Sequence, residues 1–243
     1  MKPYVFGHRG ASGYEIENTI SSFRKAVEMG AGIETDIQLT MDDKLICFHD
    51  PFIKIGIDYY YPNKLTYEEL GLLKFKDQRK IPKLSEVFQL LTKESHDFRY
   101  SFDITNRKVG IELLRLVEEY KLIEAIEISD RRIGLLSYLR KNCNPVKLIN
   151  TPIENLTRIN KKTLDIDRLK DHHISIINLK CNRNIETLFK DIIDNDLNCY
   201  IWNVNRPKSM KKVLKLKYKD KIVDAIYTDY PDKLIELREK ILK

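Results

Sequence analysis

Short apolar, β-branched runs alternate along the chain with segments whose apolar residues recur at helical spacing, which predicts strands and helices in succession. The runs place eight strands at Tyr4–Gly7, Ile33–Leu39, Tyr100–Ile104, Ala125–Ile128, Val146–Ile149, Ile174–Leu179, Cys199–Val204 and Ala225–Tyr227. Most successive strands begin about one βα unit apart, and eight units in 243 residues match the usual size of a closed barrel. An α/β fold of the (β/α)8 TIM barrel type is therefore expected. An open doubly wound sheet ordinarily carries a Gly-rich phosphate loop after its first strand. That place holds His8-Arg9-Gly10 instead.

Helix signals fall between the strands. Asn18-Thr19 reads as a cap, Ile20, Phe23 and Val27 share one face, and Gly30 reads as a stop. Pro231 suits the first turn of a final helix, on which Leu234, Leu237 and Ile241 recur along one side, and Asp229 is expected to cap it. The interval from Ile33 to Tyr100 is 67 residues, far more than one βα unit requires. A hairpin is expected first, Glu34–Thr40 with Lys44–His49 around Met41-Asp42-Asp43. A small insertion follows at about residues 51–80, with Tyr59-Tyr60-Tyr61 and a short helix near Thr66–Leu73. Residues 1–243 read as one domain carrying this insertion.

Composition narrows the class. With 33% charged and 42% hydrophobic residues the chain is neither disordered, collagenous nor coiled coil. Cys47, Cys143, Cys181 and Cys199 form no CxxC or CxH pair and are expected to be free buried thiols. The start MKPYVFGHRG has no leader pattern, and no run of about 18 apolar residues occurs, so a cytoplasmic protein without stable membrane insertion is expected. The net charge of +7 favours an anionic partner. Its densest run, Lys208, Lys211, Lys212, Lys215, Lys217, Lys219 and Lys221 around Val213, Leu214 and Leu216, reads as an exposed amphipathic helix. No finger, RNP or zipper pattern accompanies it, so no nucleic-acid partner is expected.

The candidate chemistry gathers at strand ends. Glu34 and Asp36 lie two apart on a strand, so both carboxylates point to one face, the interior in a barrel. Carboxylates are seldom buried unpaired, and a shared cation at the barrel mouth explains them economically. If the hairpin pairs positions whose numbers sum to about 85, His49 lies beside Asp36. His8 ends the first strand at the face where barrel enzymes place their active sites. Two histidines beside a metal can divide the proton transfers of a hydrolysis. Arg9 can offer a planar fork to phosphate or pair with a local acid such as Glu15 or Glu17. Asp103 can supply a third oxygen ligand or cap the next helix, and Trp202 can wall the cleft or serve as ordinary packing. His96, His172 and His173 read as solvated.

These residues resemble the glycerophosphodiester phosphodiesterase family of phospholipase-C-like (β/α)8 phosphodiesterases. The resemblance rests on His8-Arg9-Gly10, Glu17-Asn18-Thr19, Glu34-Thr35-Asp36, Thr40, His49-Asp50, Ile81-Pro82-Lys83-Leu84, Trp202-Asn203-Val204-Asn205 and Thr228-Asp229-Tyr230-Pro231-Asp232, in the family's order across nearly the whole chain. It implies hydrolysis of a glycerophosphodiester to glycerol 3-phosphate and an alcohol, within glycerol and lipid metabolism. By the same resemblance Glu34, Asp36 and Asp103 would bind one divalent cation, calcium or magnesium. His8 and His49 would be the acid/base pair, and Arg9 a phosphate contact. Glu17 would lie near the site.

The chain also departs from the family. Asp103-Ile104-Thr105 stands where the family has Glu-x-Lys, and Thr105 supplies no cation; Arg107 could reach in as a substitute or belong to the next helix. Ile128-Ser129-Asp130-Arg131 lacks the family's Ser-Phe pair, and Ile16 replaces a proline. Two alternatives follow: a non-catalytic binder of metal and phosphate ligands, or a lysophospholipase-D-like enzyme presenting Tyr59–Tyr61 to lipid.

Overall fold

A computed structural model of the chain describes residues 2–91, 98–143 and 145–242. In chain order its elements are β1 (Tyr4–Gly7), α1 (Ile20–Glu28), β2 (Gly32–Leu39), β3 (Leu45–Cys47), β4 (Ile53–Ile55), β5 (Asp58–Tyr60), α2 (Tyr67–Leu72), α3 (Leu84–Leu91) and β6 (Tyr100–Ile104). They continue with α4 (Arg107–Glu119), β7 (Ile126–Asp130), α5 (Ile133–Asn142), β8 (Lys147–Asn150), α6 (Ile166–Asp171), β9 (Ile176–Lys180), α7 (Ile185–Asp194), β10 (Asn198–Trp202), α8 (Pro207–Leu214), β11 (Lys217–Tyr218), β12 (Lys221–Ile222), β13 (Ala225–Thr228) and α9 (Pro231–Ile241). All eight expected strands form, as β1, β2, β6, β7, β8, β9, β10 and β13. They pair in parallel, and β1 joins both β13 and β2, which closes the (β/α)8 barrel.

Two packed regions hold it. Between strands and helices lies a continuous apolar layer that includes Phe23, Ile33, Phe102, Leu113 and Phe189. Inside the barrel, Phe6, Ile149, Ile176, Tyr200 and Tyr227 fill the axis, with Phe6 and Tyr227 stacked at 4.8 Å. Below them the Arg99 guanidinium lies 4.5 Å over the Tyr4 ring and its Nε donates to buried Glu127 at 2.7 Å. Side chains therefore close the lower end. The inward positions nearer the strands' C-terminal ends are polar, and among the described residues the open end is the one that carries Glu34, Asp36, Asp103 and Asn178.

Local signals explain the connections. Thr19 caps α1: Ser22 N donates to its Oγ1 at 3.3 Å, and Thr19 N donates to Ser22 Oγ at 3.2 Å. Gly10 has φ +80°, and a Cβ there would lie 2.5 Å from the Ser22 backbone. Glycine thus lets the loop after β1 lie directly on the start of α1.

Several expectations change. The hairpin turn is a three-residue loop in which Asp43 takes φ 57° and its N donates to Thr40 O. Ile37 consequently pairs with Cys47, the Asp36 carbonyl accepts from Phe48 N, and His49 falls one residue beyond the expected partner. Asp229 does not cap α9, whose N-cap, Tyr230, has no side-chain cap. The lysine run is helical only to Leu214 and then turns into the β11–β12 hairpin, where Lys219 and Asp220 have positive φ. Lys212, Lys217 and Lys219 are paired with Glu186, Asp220 and Asp194, which leaves these charges locally balanced. Cys181 is half-buried, whereas Cys47, Cys143 and Cys199 are buried, and all four are free. His173 is exposed and His172 half-buried, while His96 lies outside the described residues.

The insertion builds its own small core from Ile46, Phe48, Ile53, Leu70 and Ile81, against which Tyr60 packs. Tyr59 and Tyr61 stay about half exposed and meet Phe52 edge-on, with ring centroids 5.1 and 6.2 Å away. Among the described residues no helix is long and apolar enough to cross a membrane.

Candidate active site

A cavity of about 110 Å³ at the C-terminal end of the barrel is lined by His8, Arg9, Glu34, Asp36, His49, Asp103, Thr151, Asn178, Trp202 and Tyr227. All seven residues singled out from sequence converge there. They come from β2, β6, β10 and the loops after β1 and β3, which only barrel closure brings together.

Glu34 and Asp36 share the inward face of β2, and Asp103 lies level with Asp36 on the adjoining β6. One carboxylate oxygen from each lies within 4.8 Å of the others. Burial, then the charges of Asp36 and Asp103, push the Glu34 carboxyl well above the usual carboxylate range. Its depth and the neighbouring Asp36 raise Asp103 to about 7, against a hydrogen bond from Ser129. Three hard oxygen donors crowded beyond what Arg9 neutralises suit a divalent cation.

Arg9 sits with φ 54° in the loop after β1. Its backbone N donates to Glu34 Oε2 at 2.8 Å, Nη1 donates to Glu17 Oε2 at 2.9 Å, and Nε lies 3.3 Å from Asp36 Oδ2. Nε is buried and lacks a hydrogen-bond partner of good geometry. Burial works against the Arg9 charge, but Asp36, Glu17 and Glu34 outweigh it and raise its pKa. The local ion pair with Glu17 and a place in the cavity are thus both realised.

Each histidine has a carboxylate on Nδ1. His8 Nδ1 lies 2.9 Å from Asp229 Oδ1, and His49 Nδ1 lies 2.8 Å from Asp50 Oδ1. A carboxylate only accepts, so Nδ1 carries the proton and Nε2 remains free on both rings. Asp229 is itself fixed by Asn205, whose Nδ2 donates to its carboxylate and whose Oδ1 accepts from its backbone N at 2.8 Å. Trp202 faces His8 with ring centroids 6.5 Å apart, and also packs on the aromatic interior.

Three positioning residues were not identified from sequence. Asp229, expected to cap α9, instead aligns His8. Asn18, read as part of the α1 cap, donates Nδ2 to Asp36 Oδ2 at 3.2 Å. Gln38 continues the Glu34, Asp36 series on β2, and its Nε2 donates to the carbonyls of Phe48 and Asp50 at 2.8 and 2.7 Å. It therefore pins the loop that carries His49. Its period-2 spacing from Asp36 was the available signal. Arg107 does not enter the cavity: it begins α4 and stacks over Tyr138 at 4.8 Å.

Residues 8–233 match the model of the glycerophosphoryl diester phosphodiesterase family. A glycerophosphodiester phosphodiesterase of Caldanaerobacter subterraneus subsp. tengcongensis is 30% identical over 262 aligned residues, covering 99% of this chain and 99% of that protein. A glycerophosphodiester phosphodiesterase of Parabacteroides distasonis superposes with TM-score 0.81 at 22% identity, over 100% of this chain and 99% of that one. An Oleispira antarctica phosphodiesterase, solved with its product sn-glycerol-3-phosphate, superposes with TM-score 0.81 at 18% identity, over 97% of this chain and 96% of that one. Both the family match and the full-length relative include the strand ends that build the cavity. The chain belongs to the glycerophosphoryl diester phosphodiesterase family and is, with it, a phosphoric diester hydrolase.

Proposed function

We propose that this chain hydrolyses small glycerophosphodiesters to glycerol 3-phosphate and an alcohol, using a divalent cation, calcium or magnesium, and His8 and His49 as the acid/base pair. The observation that carries the reading is the convergence of Glu34, Asp36 and Asp103 beside two histidines that both keep Nε2 free. The donor set fits the cation: three carboxylates, all oxygen, in a pocket that burial makes unfavourable for bare negative charge. When bound, such an ion neutralises phosphoryl oxygens and lowers the pKa of the attacking hydroxyl or water.

The chain's own groups divide the remaining work. Arg9, braced by Glu17 and Asp36, keeps a positive charge beside the phosphate. One histidine accepts at Nε2 the proton of the attacking oxygen as that oxygen bonds to phosphorus, and the other, as an imidazolium protonated on Nε2 as well as Nδ1, gives its Nε2 proton to the leaving alcohol oxygen as its bond to phosphorus breaks. Trp202 walls the side next to His8.

The test is product release with calcium, magnesium or a chelator: glycerol 3-phosphate from glycerophosphocholine and glycerophosphoglycerol, and lysophosphatidic acid with choline from lysophosphatidylcholine. Chelator-sensitive release from the water-soluble diesters supports the proposal. Release from lysophosphatidylcholine alone moves the reading to a lysophospholipase-D-like enzyme, which the exposed Phe52, Tyr59 and Tyr61 beside the His49 loop would favour. A cation-induced rise in melting temperature without product leaves a binding protein.

Gln38 offers a separate check. Gln38→Leu removes the three hydrogen bonds, to the carbonyls of Phe48, His49 and Asp50, that hold the His49 loop and is expected to lower kcat by roughly 10- to 100-fold, as catalytic misplacements do. The cation-induced thermal shift should persist, because the three carboxylates are untouched.

A further inference from the structure

Beside the carboxylate pocket lies a second cavity of about 460 Å³, which shares Asp103, Thr151 and Trp202 with it. Those three residues form a common wall, so a substituent on a phosphate held in the smaller pocket can extend past Trp202 into this space. Its polar lining is therefore what the alcohol portion of a diester meets.

The charges there are unevenly committed. Asp130 is held by Arg132, whose backbone N, Nε and Nη2 all donate to its carboxylate at 2.5–2.9 Å. Glu154 accepts from Lys180 Nζ at 2.5 Å. Asp103 belongs to the acidic trio. Arg131 is exposed, lines the cavity, and has no side-chain hydrogen bond or ion pair among the described residues. Lys180 Nζ also lies 4.9 Å over the Trp202 ring, so the aromatic surface that would attract a quaternary ammonium already has a cation against it.

Resting on the diesterase reading above, we infer that this cavity is a leaving-group subsite selecting alcohols that carry an anionic group, a carboxylate or a phosphate, over cationic ones such as choline, with Arg131 as the specificity-determining residue. The carboxylates lining it are engaged elsewhere, and its one uncommitted charge is positive. Like-charge contact disfavours choline, and pairing favours an anion.

The experiment compares kcat/KM for four diesters with the cation that supports activity: glycerophosphocholine, glycerophosphoglycerol with its neutral alcohol, glycerophosphoglycerate and glycerophosphoglycerol phosphate. The last two distinguish a carboxylate from a phosphate as the recognised group. Wild type is expected to prefer at least one anionic alcohol over glycerophosphocholine by about tenfold. Arg131→Ala should remove most of that ratio and Arg131→Glu should invert it, mainly through KM. Raising the salt concentration should shrink the wild-type ratio, because the pair is exposed. Equal use of all four diesters by wild type, or a ratio unmoved by Arg131→Glu, overturns the inference while leaving the diesterase reading intact. If no diester is hydrolysed with either cation, that reading fails by itself. Calorimetric binding of glycerophosphocholine and glycerophosphoglycerol phosphate to wild type and Arg131→Glu then decides: discrimination that Arg131→Glu inverts supports the subsite, and equal binding overturns it.

Discussion

His8→Ala is expected to lower the turnover of glycerophosphodiesters by about 100- to 10,000-fold, the range that general acid–base groups supply. The imidazole is held at three levels. Asp229 fixes Nδ1 at 2.9 Å, Asn205 fixes Asp229, and Trp202 stands 6.5 Å across from the ring. Such an arrangement matters only if the free Nε2 has to be aimed. Asp229→Ala should accordingly cost on the order of 10- to 100-fold, as the loss of an orienting carboxylate does. The loss should appear in kcat, and the cation-induced rise in melting temperature should remain in both variants. Steady-state kinetics paired with thermal unfolding checks this: near-normal turnover in His8→Ala ends the two-histidine mechanism.

Asp103→Asn is expected to abolish activity and, without cation, to make the protein more stable. The trio brings three carboxylate oxygens within 4.8 Å of one another, a repulsion that a bound ion relieves and an amide reduces. For wild type, a cation at about 100 times its dissociation constant contributes about 2.7 kcal/mol. That corresponds to roughly 5–10 °C in Tm for a domain of this size. In Asp103→Asn most of this rise should vanish. The pH dependence of the chelated protein has a definite sign. Burial and Asp36 raise Asp103 to about 7, above its unfolded value, so between about 4 and 7 the folded state binds more protons than the unfolded state. Stability of the chelated wild type should fall as pH rises through that window, and Asp103→Asn should flatten the slope. A melting temperature indifferent to calcium and magnesium, with the same pH slope in both proteins, would remove the metal site.

These two predictions concern residues whose legibility in the sequence differs. Glu34 and Asp36 were readable because strand geometry alone puts alternate residues on one face, and because buried acids need a counter-charge. His8 and Asp103 were readable from their places at the ends of apolar runs, once eight such runs implied a closed barrel. Asp229 was not. Its Asp-Tyr-Pro context is a helix start, and its role depends on β13 lying beside β1, 221 residues earlier in the chain. The position of His49 was nearly right for an incorrect reason: the three-residue turn slipped the register by one, and the side chain reaches the cavity from a loop that Gln38 holds.

What the sequence by itself determined is the set of local facts: strand and helix periods, the Thr19 cap, the glycine after β1, and which acids share a strand face. These rest on interactions within a few residues, so spacing encodes them directly. The pairing of Asp229 with His8, and the commitment of Asp130 and Glu154 to Arg132 and Lys180, were decided only in the tertiary structure. Which charge is left unpaired is a property of neighbours across strands, and a linear chain does not state it. Arg131 was one more basic residue in the sequence; it is the uncommitted cation of the cleft only because the acids around it are already held.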